Sequence, residues 1–109
     1  MFDPLPTSDG VTRGCPFIGA AAEYPAPDSR VHAFAQTQKV LMYQLVGELT
    51  AALDVARPEL LAEQLVTLAD GAASRAMVLN DPEYGRHARA AAETLIDCAP
   101  RRLPRNASR

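Results

Sequence analysis

The sequence predicts an all-α fold, a small domain of four main helices. Three observations lead to it. The apolar content, 48% of 109 residues, is supplied largely by Ala and Leu, with three Tyr, three Phe and no Trp; such residues favour helices over strands. Apolar side chains recur every three or four positions through three long segments. Prolines and capping residues stand where those segments start and stop. No internal repeat and no strand pattern interrupts them.

Residues 1–14 contain two prolines, two glycines and several turn formers, and read as an irregular lead-in. Pro16, at a first-turn position, opens a short helix through Phe17, Ile18 and Ala20-Ala21-Ala22 to Tyr24, and Pro25 and Pro27 stop it. Asp28 or Ser29 caps a second helix that runs to about Leu53. Its stripe is Val31, Phe34, Gln38, Leu41, Leu45 and Leu49, widened by Met42, Val46 and Leu53.

After a turn at Asp54–Arg57, Pro58 opens a third helix to Leu79, with Glu59 favourable to its dipole. This helix carries two adjacent stripes, Leu61, Leu65, Leu68, Ala72, Ala76 and Ala62, Val66, Ala69, Ala73, Met77. Together they exceed the usual apolar face of about 100°, and more apolar surface than one small core absorbs predicts a dimer. Gly71-Ala72-Ala73 thins the helix where a second backbone can approach.

Asn80-Asp81-Pro82-Glu83 supplies a cap, a first-turn proline and an early acid for a fourth helix, which Pro100 ends. One face carries Tyr84, Ala88, Ala91, Leu95 and Cys98, with Ala92, Ile96 and Ala99 beside it. Residues 100–109 lack apolar periodicity and read as a disordered basic tail. The chain thus divides into a lead-in (1–14), one helical domain (15–99) and the tail.

Charge argues against nucleic acid as a direct partner. Four of the eleven basic residues (Arg101, Arg102, Arg105, Arg109) fall in the tail, so residues 1–99 carry seven basic against thirteen acidic groups. A body of that sign repels phosphate. A winged-helix-like DNA reader at 48–71 has the right apolar rhythm, but its recognition helix would present Glu59, Glu63 and Gln64 with Arg57 as the only nearby base.

Cys15 and Cys98 lie far apart with no metal-ligand spacing, and two free thiols in a reducing cytoplasm are expected. There is neither a run of 18 apolar residues nor a signal-peptide pattern, so a cytoplasmic location and no membrane partner are expected. His32 and His87 lack catalytic neighbours apart from Glu83, four residues before His87, an ordinary surface ion pair. With no phosphate loop, nucleophile elbow or zinc spacing, no enzyme activity, metal or cofactor is expected. A small-molecule pocket is expected from Phe17, Tyr24, Phe34, Gln38, Met42 and Tyr43, an apolar set with a few polar groups.

The string Arg13-Gly14-Cys15-Pro16-Phe17-Ile18, followed by Ala20-Ala21-Ala22-Glu23-Tyr24-Pro25 and a helix with Val31 and Lys39, resembles the C-terminal half of many TetR-family transcriptional regulators. Leu61-Ala62-Glu63-Gln64-Leu65, Leu68, Asp70-Gly71-Ala72 and Arg89-Ala90-Ala91-Ala92-Glu93-Thr94-Leu95 resemble that family's last two helices. The likeness covers roughly residues 11–99 in order. It implies an effector-binding and dimerisation domain whose last two helices form an intermolecular four-helix bundle in a homodimer.

By this resemblance Pro58–Leu79 and Pro82–Ala99 are the dimer helices, and Asp28–Leu53 is a wall of the effector pocket. The expected interface is Leu61, Leu65, Leu68, Ala72, Ala73, Ala76, Ala88, Ala91 and Leu95. The implied partners are a second copy, a small-molecule effector of unknown identity, and DNA only through a headpiece to which nothing in this chain corresponds. A free-standing helical dimerisation or interaction module that senses no ligand is the alternative the residues leave open.

Overall fold

The computed structural model describes residue 11 and residues 13–104. Expectations placed on residues 1–10, Thr12 and 105–109, most of the lead-in and the far half of the tail, lie outside the described residues. The fold is all-α, built from α1 (Pro16–Glu23), α2 (Arg30–Ala51), α3 (Pro58–Leu79) and α4 (Tyr84–Cys98). Among the described residues there is no strand, only an isolated antiparallel bridge between Val55 and Arg101.

The helix bounds follow from local chemistry. Pro16 and Pro58 occupy the first turns of α1 and α3, where a missing N–H costs nothing. Ser29 caps α2, its side chain accepting the His32 N–H at 3.4 Å. Asn80 does not start α4. It ends α3 in the left-handed conformation (φ 52°), its N–H reaching the Ala76 and Met77 carbonyls. The Asp81 carboxylate accepts the Glu83 N–H at 2.9 Å, so the expected cap serves a turn and regular helix begins at Tyr84, two residues past Pro82.

The helices form a row. α3 packs against both α2 and α4, α1 packs against α2, and no other pair of helices is in contact. The main core cluster joins α2, the α2–α3 turn, α3 and α4 through the buried Val46, Val55, Leu61, Ala62, Leu65 and Ala92. Thr50, 2% exposed, locks α2 to α3: its hydroxyl lies 2.9 Å from the Pro58 carbonyl and 3.1 Å from that of Gly47. A single proton is shared between two acceptors.

The expected disordered tail needs correction at its start. The Pro100 carbonyl accepts the Ala56 N–H at 2.8 Å, and the Arg102 N–H donates to the Asp54 carbonyl at 3.1 Å. Pro100 stops α4, and the chain then runs alongside the α2–α3 turn, covering Val55 to 1% exposure. Burial of one turn valine and two backbone hydrogen bonds orders a stretch whose composition reads as coil.

The apolar surplus is on α2, not on α3 as the stripes suggest. On α3, Leu61, Ala62, Leu65, Ala69, Ala72 and Ala76 are all buried within the chain. On α2 the best apolar stripe faces outward, with Phe34, Leu41, Leu45 and Leu49 51–64% exposed. The residues turned inward are Ala35, Val46 and Thr50, each one position after Phe34, Leu45 and Leu49. At 3.6 residues per turn, one position is a rotation of about 100°. Polar locks on the inner face, Thr50 to Pro58 and Lys39 to Asp70, hold that rotation.

Candidate functional site

Because α2 and α4 lean on α3 without meeting, an apolar groove of about 690 Å³ opens between them. Leu65, Ala69 and Ala73 of α3 form its floor, Met42, Leu45, Val46 and Leu49 of α2 with Leu53 of the following turn one wall, and Ala92 and Ile96 of α4 the other. The alanines create the space: small side chains on α3 and α4 face large ones on α2 without filling the gap. Its size and apolar lining fall in the range of small-molecule sites, about 300–1,000 Å³.

Polar chemistry is confined to the ends. At one end Thr50 is already engaged by backbone carbonyls. At the other, Lys39 and Asp70 form an ion pair beside Cys15, with side chains 25% and 36% exposed. Partial burial works against the Lys39 ammonium, but its hydrogen bonds to Asp70 and the Cys15 side chain, with the charge of both groups, outweigh that. The Lys39 pKa therefore lies above the ordinary lysine value. Both thiols are free; Cys15 lines the groove and Cys98 is exposed.

Gly14 brings Cys15 there. A Cβ at this position would stand 2.9 Å from the Ala73 carbonyl oxygen and 3.2 Å from the Met77 Cβ, so only glycine permits the close approach to α3. Beyond the ion pair, a second cleft of about 390 Å³ lies between α1, α2 and α3, lined by Phe17, Ile18, His32 and Val66 among others. Lys39 and Asp70 line both spaces and stand between them.

Of the six residues expected to share one pocket, only Met42 lines the groove. Phe17 belongs to the α1 cleft, its ring 6.1 Å from that of Phe34. Phe34 and Gln38 lie on the outer stripe of α2, Tyr43 packs on the core, and Tyr24 is half exposed. The helix turns these side chains in several directions, which is why one pocket cannot collect them.

Of the nine expected interface residues, Leu61, Leu65, Ala72, Ala76 and Ala88 are buried inside this chain and serve its own core. Ala73 lines the groove, while Leu68, Ala91 and Leu95 are half-buried on the opposite side of α3 and α4. Sequence reasoning missed Lys39, Asp70 and Cys15. The first two are 31 residues apart, and no local pattern joins them. The groove alanines were visible, but as candidates for close helix packing.

The fold and groove define an all-helical domain with a preformed apolar site. No protein-family model and no solved structure matches the chain. It is similar to the HTH-type transcriptional regulator YjdC of Escherichia coli (strain K12), 37% identical over 65 residues, which is 60% of this chain and 34% of that protein. The protein of the same name from Shigella flexneri shows the same identity and coverage. The chain matches about a third of the length of these curated relatives. No helix among the described residues is long and apolar enough to cross a membrane.

Proposed function

We propose that this chain is the effector-sensing and pairing portion of an HTH-type transcriptional regulator of the TetR kind. The observation that carries the reading is the preformed apolar groove between α2 and α4, in a chain 37% identical over 65 residues to proteins named HTH-type transcriptional regulators. The effector is a largely apolar small molecule with at most one polar end, placed at Lys39 and Asp70. That pair balances its own charge, so it suits a hydrogen-bonding head group better than a full ion.

In a regulator of this type, a ligand that prefers one helix arrangement shifts the population of the whole protein and so the spacing of paired DNA readers. Within this chain the movable quantity is the separation of α2 and α4. DNA contact belongs to a reader outside the described residues. As a reader itself, α3 is poorly suited: Leu61, Leu65 and Ala69 are buried, and its exposed residues include Glu59 and Glu63.

The test is thermal denaturation of the chain against a panel of apolar compounds, beside a variant with Ala73→Leu. Ligand binding raises the Tm of the native chain, and the leucine, filling the groove, abolishes the shift while the variant stays folded. No stabilisation by any compound, or stabilisation unaltered by Ala73→Leu, overturns the groove as the effector site. The exposed stripe on α2 favours a second reading, a helical interaction module without a ligand, and the first of these results would leave it standing.

A further inference from the structure

We propose that Cys15 captures the effector covalently. The groove admits a largely apolar electrophile, an α,β-unsaturated carbonyl compound, whose double bond takes up the Cys15 thiol while its carbonyl oxygen rests on Lys39. The inference deepens the reading above by naming the class of effector, and rests on it for the groove as the place of the alkyl tail.

A nucleophile, a cation and an apolar cavity meet at one end of the groove. Cys15 and Lys39 both line it, together with Ala69 and Ala73 of its floor. The thiol is free and half-buried, so a guest lying in the groove can reach it. Cys15 stands at the N-cap position of α1, yet its side chain makes no capping hydrogen bond. What it does meet is the Lys39 side chain, with which it shares a hydrogen bond. The backbone just before it is pressed onto α3, where a Cβ at Gly14 would stand 2.9 Å from the Ala73 carbonyl oxygen. The sulfur is thereby held at the groove and not on a free loop.

Lys39 suits an acceptor and does not compete as a nucleophile. An ammonium carries three donors; Asp70 and Cys15 engage it, and a carbonyl oxygen of the guest can be received as well. The lysine pKa lies above its ordinary value, so the amine stays charged at neutral pH and the sulfur is the group that bonds. In a conjugated carbonyl the β-carbon and the oxygen belong to one short unit. A thiol and an ammonium in direct contact match that unit, and the tail takes the space over Ala69 and Ala73 against Met42.

The step balances without a further reagent. The thiol gives its proton to solvent, since the thiolate is the attacking form. A sulfur lone pair forms the Sγ–C bond at the β-carbon, and the double-bond pair moves through the carbonyl onto its oxygen beside Lys39. The α-carbon then takes a proton from solvent and the carbonyl is restored. No group leaves, and nothing is oxidised or reduced overall. A fixed donor aimed at the oxygen where charge develops is the contribution of Lys39.

The test is covalent labelling of the full chain by two conjugated enones, nonenone and its short analogue pentenone, followed by peptide mass mapping. Cys98, exposed and outside the groove, is the internal standard. The ratio of Cys15 to Cys98 labelling is expected to rise at least about tenfold from pentenone to nonenone, because each methylene moved from water into the groove favours capture. Ala73→Leu, which fills the groove, is expected to remove that rise. Lys39→Met should slow nonenone capture at Cys15 more than it slows alkylation by iodoacetamide, which builds no negative oxygen. Lys39→Arg should retain most of the rate.

Equal ratios for the two enones overturn the proposal, as does a preference for nonenone that survives Ala73→Leu in a folded variant. So does a Lys39→Met variant that slows both reagents alike. Saturated nonanone separates this failure from that of the groove. If nonanone raises the Tm of the native chain while Cys15 shows no preference, covalent capture falls and the groove stands. If nonanone has no effect and no preference is seen, both fall.

Discussion

Lys39 Nζ on α2 lies 2.5 Å from Asp70 Oδ1 on α3, joining two helices through residues 31 apart in sequence at the rim between two cavities. The pair holds the rotation of α2 at that end, as Thr50 does at the other. Lys39→Met should lower stability by about 0.5–1 kcal/mol, the scale for a partly exposed pair. Because the folded-state pKa of Lys39 is raised, the contribution is complete below the ordinary lysine value of about 10.4 and is lost as pH rises through the higher folded value. The stability difference between native chain and variant is therefore expected to stay flat through neutral pH and to narrow only in strong alkali. Denaturant midpoints measured from neutral to strongly alkaline pH check it; a difference that already narrows around neutral pH would contradict the assignment to Lys39.

Gly14→Ala is expected to destabilise by roughly 1–3 kcal/mol, the cost of overpacking against a neighbour that cannot give. The obstacle at 2.9 Å is the backbone carbonyl of Ala73, inside α3. Gly71→Ala, in the middle of α3 where a Cβ meets nothing within 4 Å, should raise stability by about 0.5–1 kcal/mol. Chemical denaturation of the two variants side by side gives opposite signs.

Thr50→Val keeps the shape of a buried side chain and removes only its hydroxyl. The expected loss is about 1 kcal/mol, because the hydrogen bond to Pro58 across the α2–α3 turn disappears. Hydrogen exchange should show the amides at the start of α3 opening more readily in this variant than in the native chain.

Asn80→Ala should cost about 1 kcal/mol, since φ is 52° there and a Cβ without a local polar partner disfavours that region. Asn80→Gly should be neutral or slightly stabilising. Equal losses from both substitutions, read as shifts in Tm, would show that the left-handed conformation is not what the residue supplies.

The ends of the helices were legible because they are set by neighbours in sequence. Pro58 opens α3 and Leu79 closes it as read, and Ser29 caps α2. The direction in which α2 faces was not legible. Its strongest stripe, Phe34 to Leu49, points outward because Ala35, Val46 and Thr50, one step round the helix, meet α3. That rotation is held by Thr50 with Pro58 and Lys39 with Asp70, contacts made only once the turn has folded. The groove was half legible: its alanines could be seen, but small side chains serve close packing and open space equally, and the position of a third helix decides between them.

The strand-like tether at the end of α4 bears on how the groove can change width. Ala56 with Pro100, Asp54 with Arg102, and buried Val55 bind the α2–α3 turn to the end of α4. α2 and α4 are thereby clasped at one extremity, where Leu53 closes the groove. Among the described residues, no such clasp joins α2 and α4 at the other extremity, near Cys15. The two walls work like the arms of tweezers with their pivot at Val55: a guest wedged beside Lys39 would spread the tips farthest and disturb the pivot least.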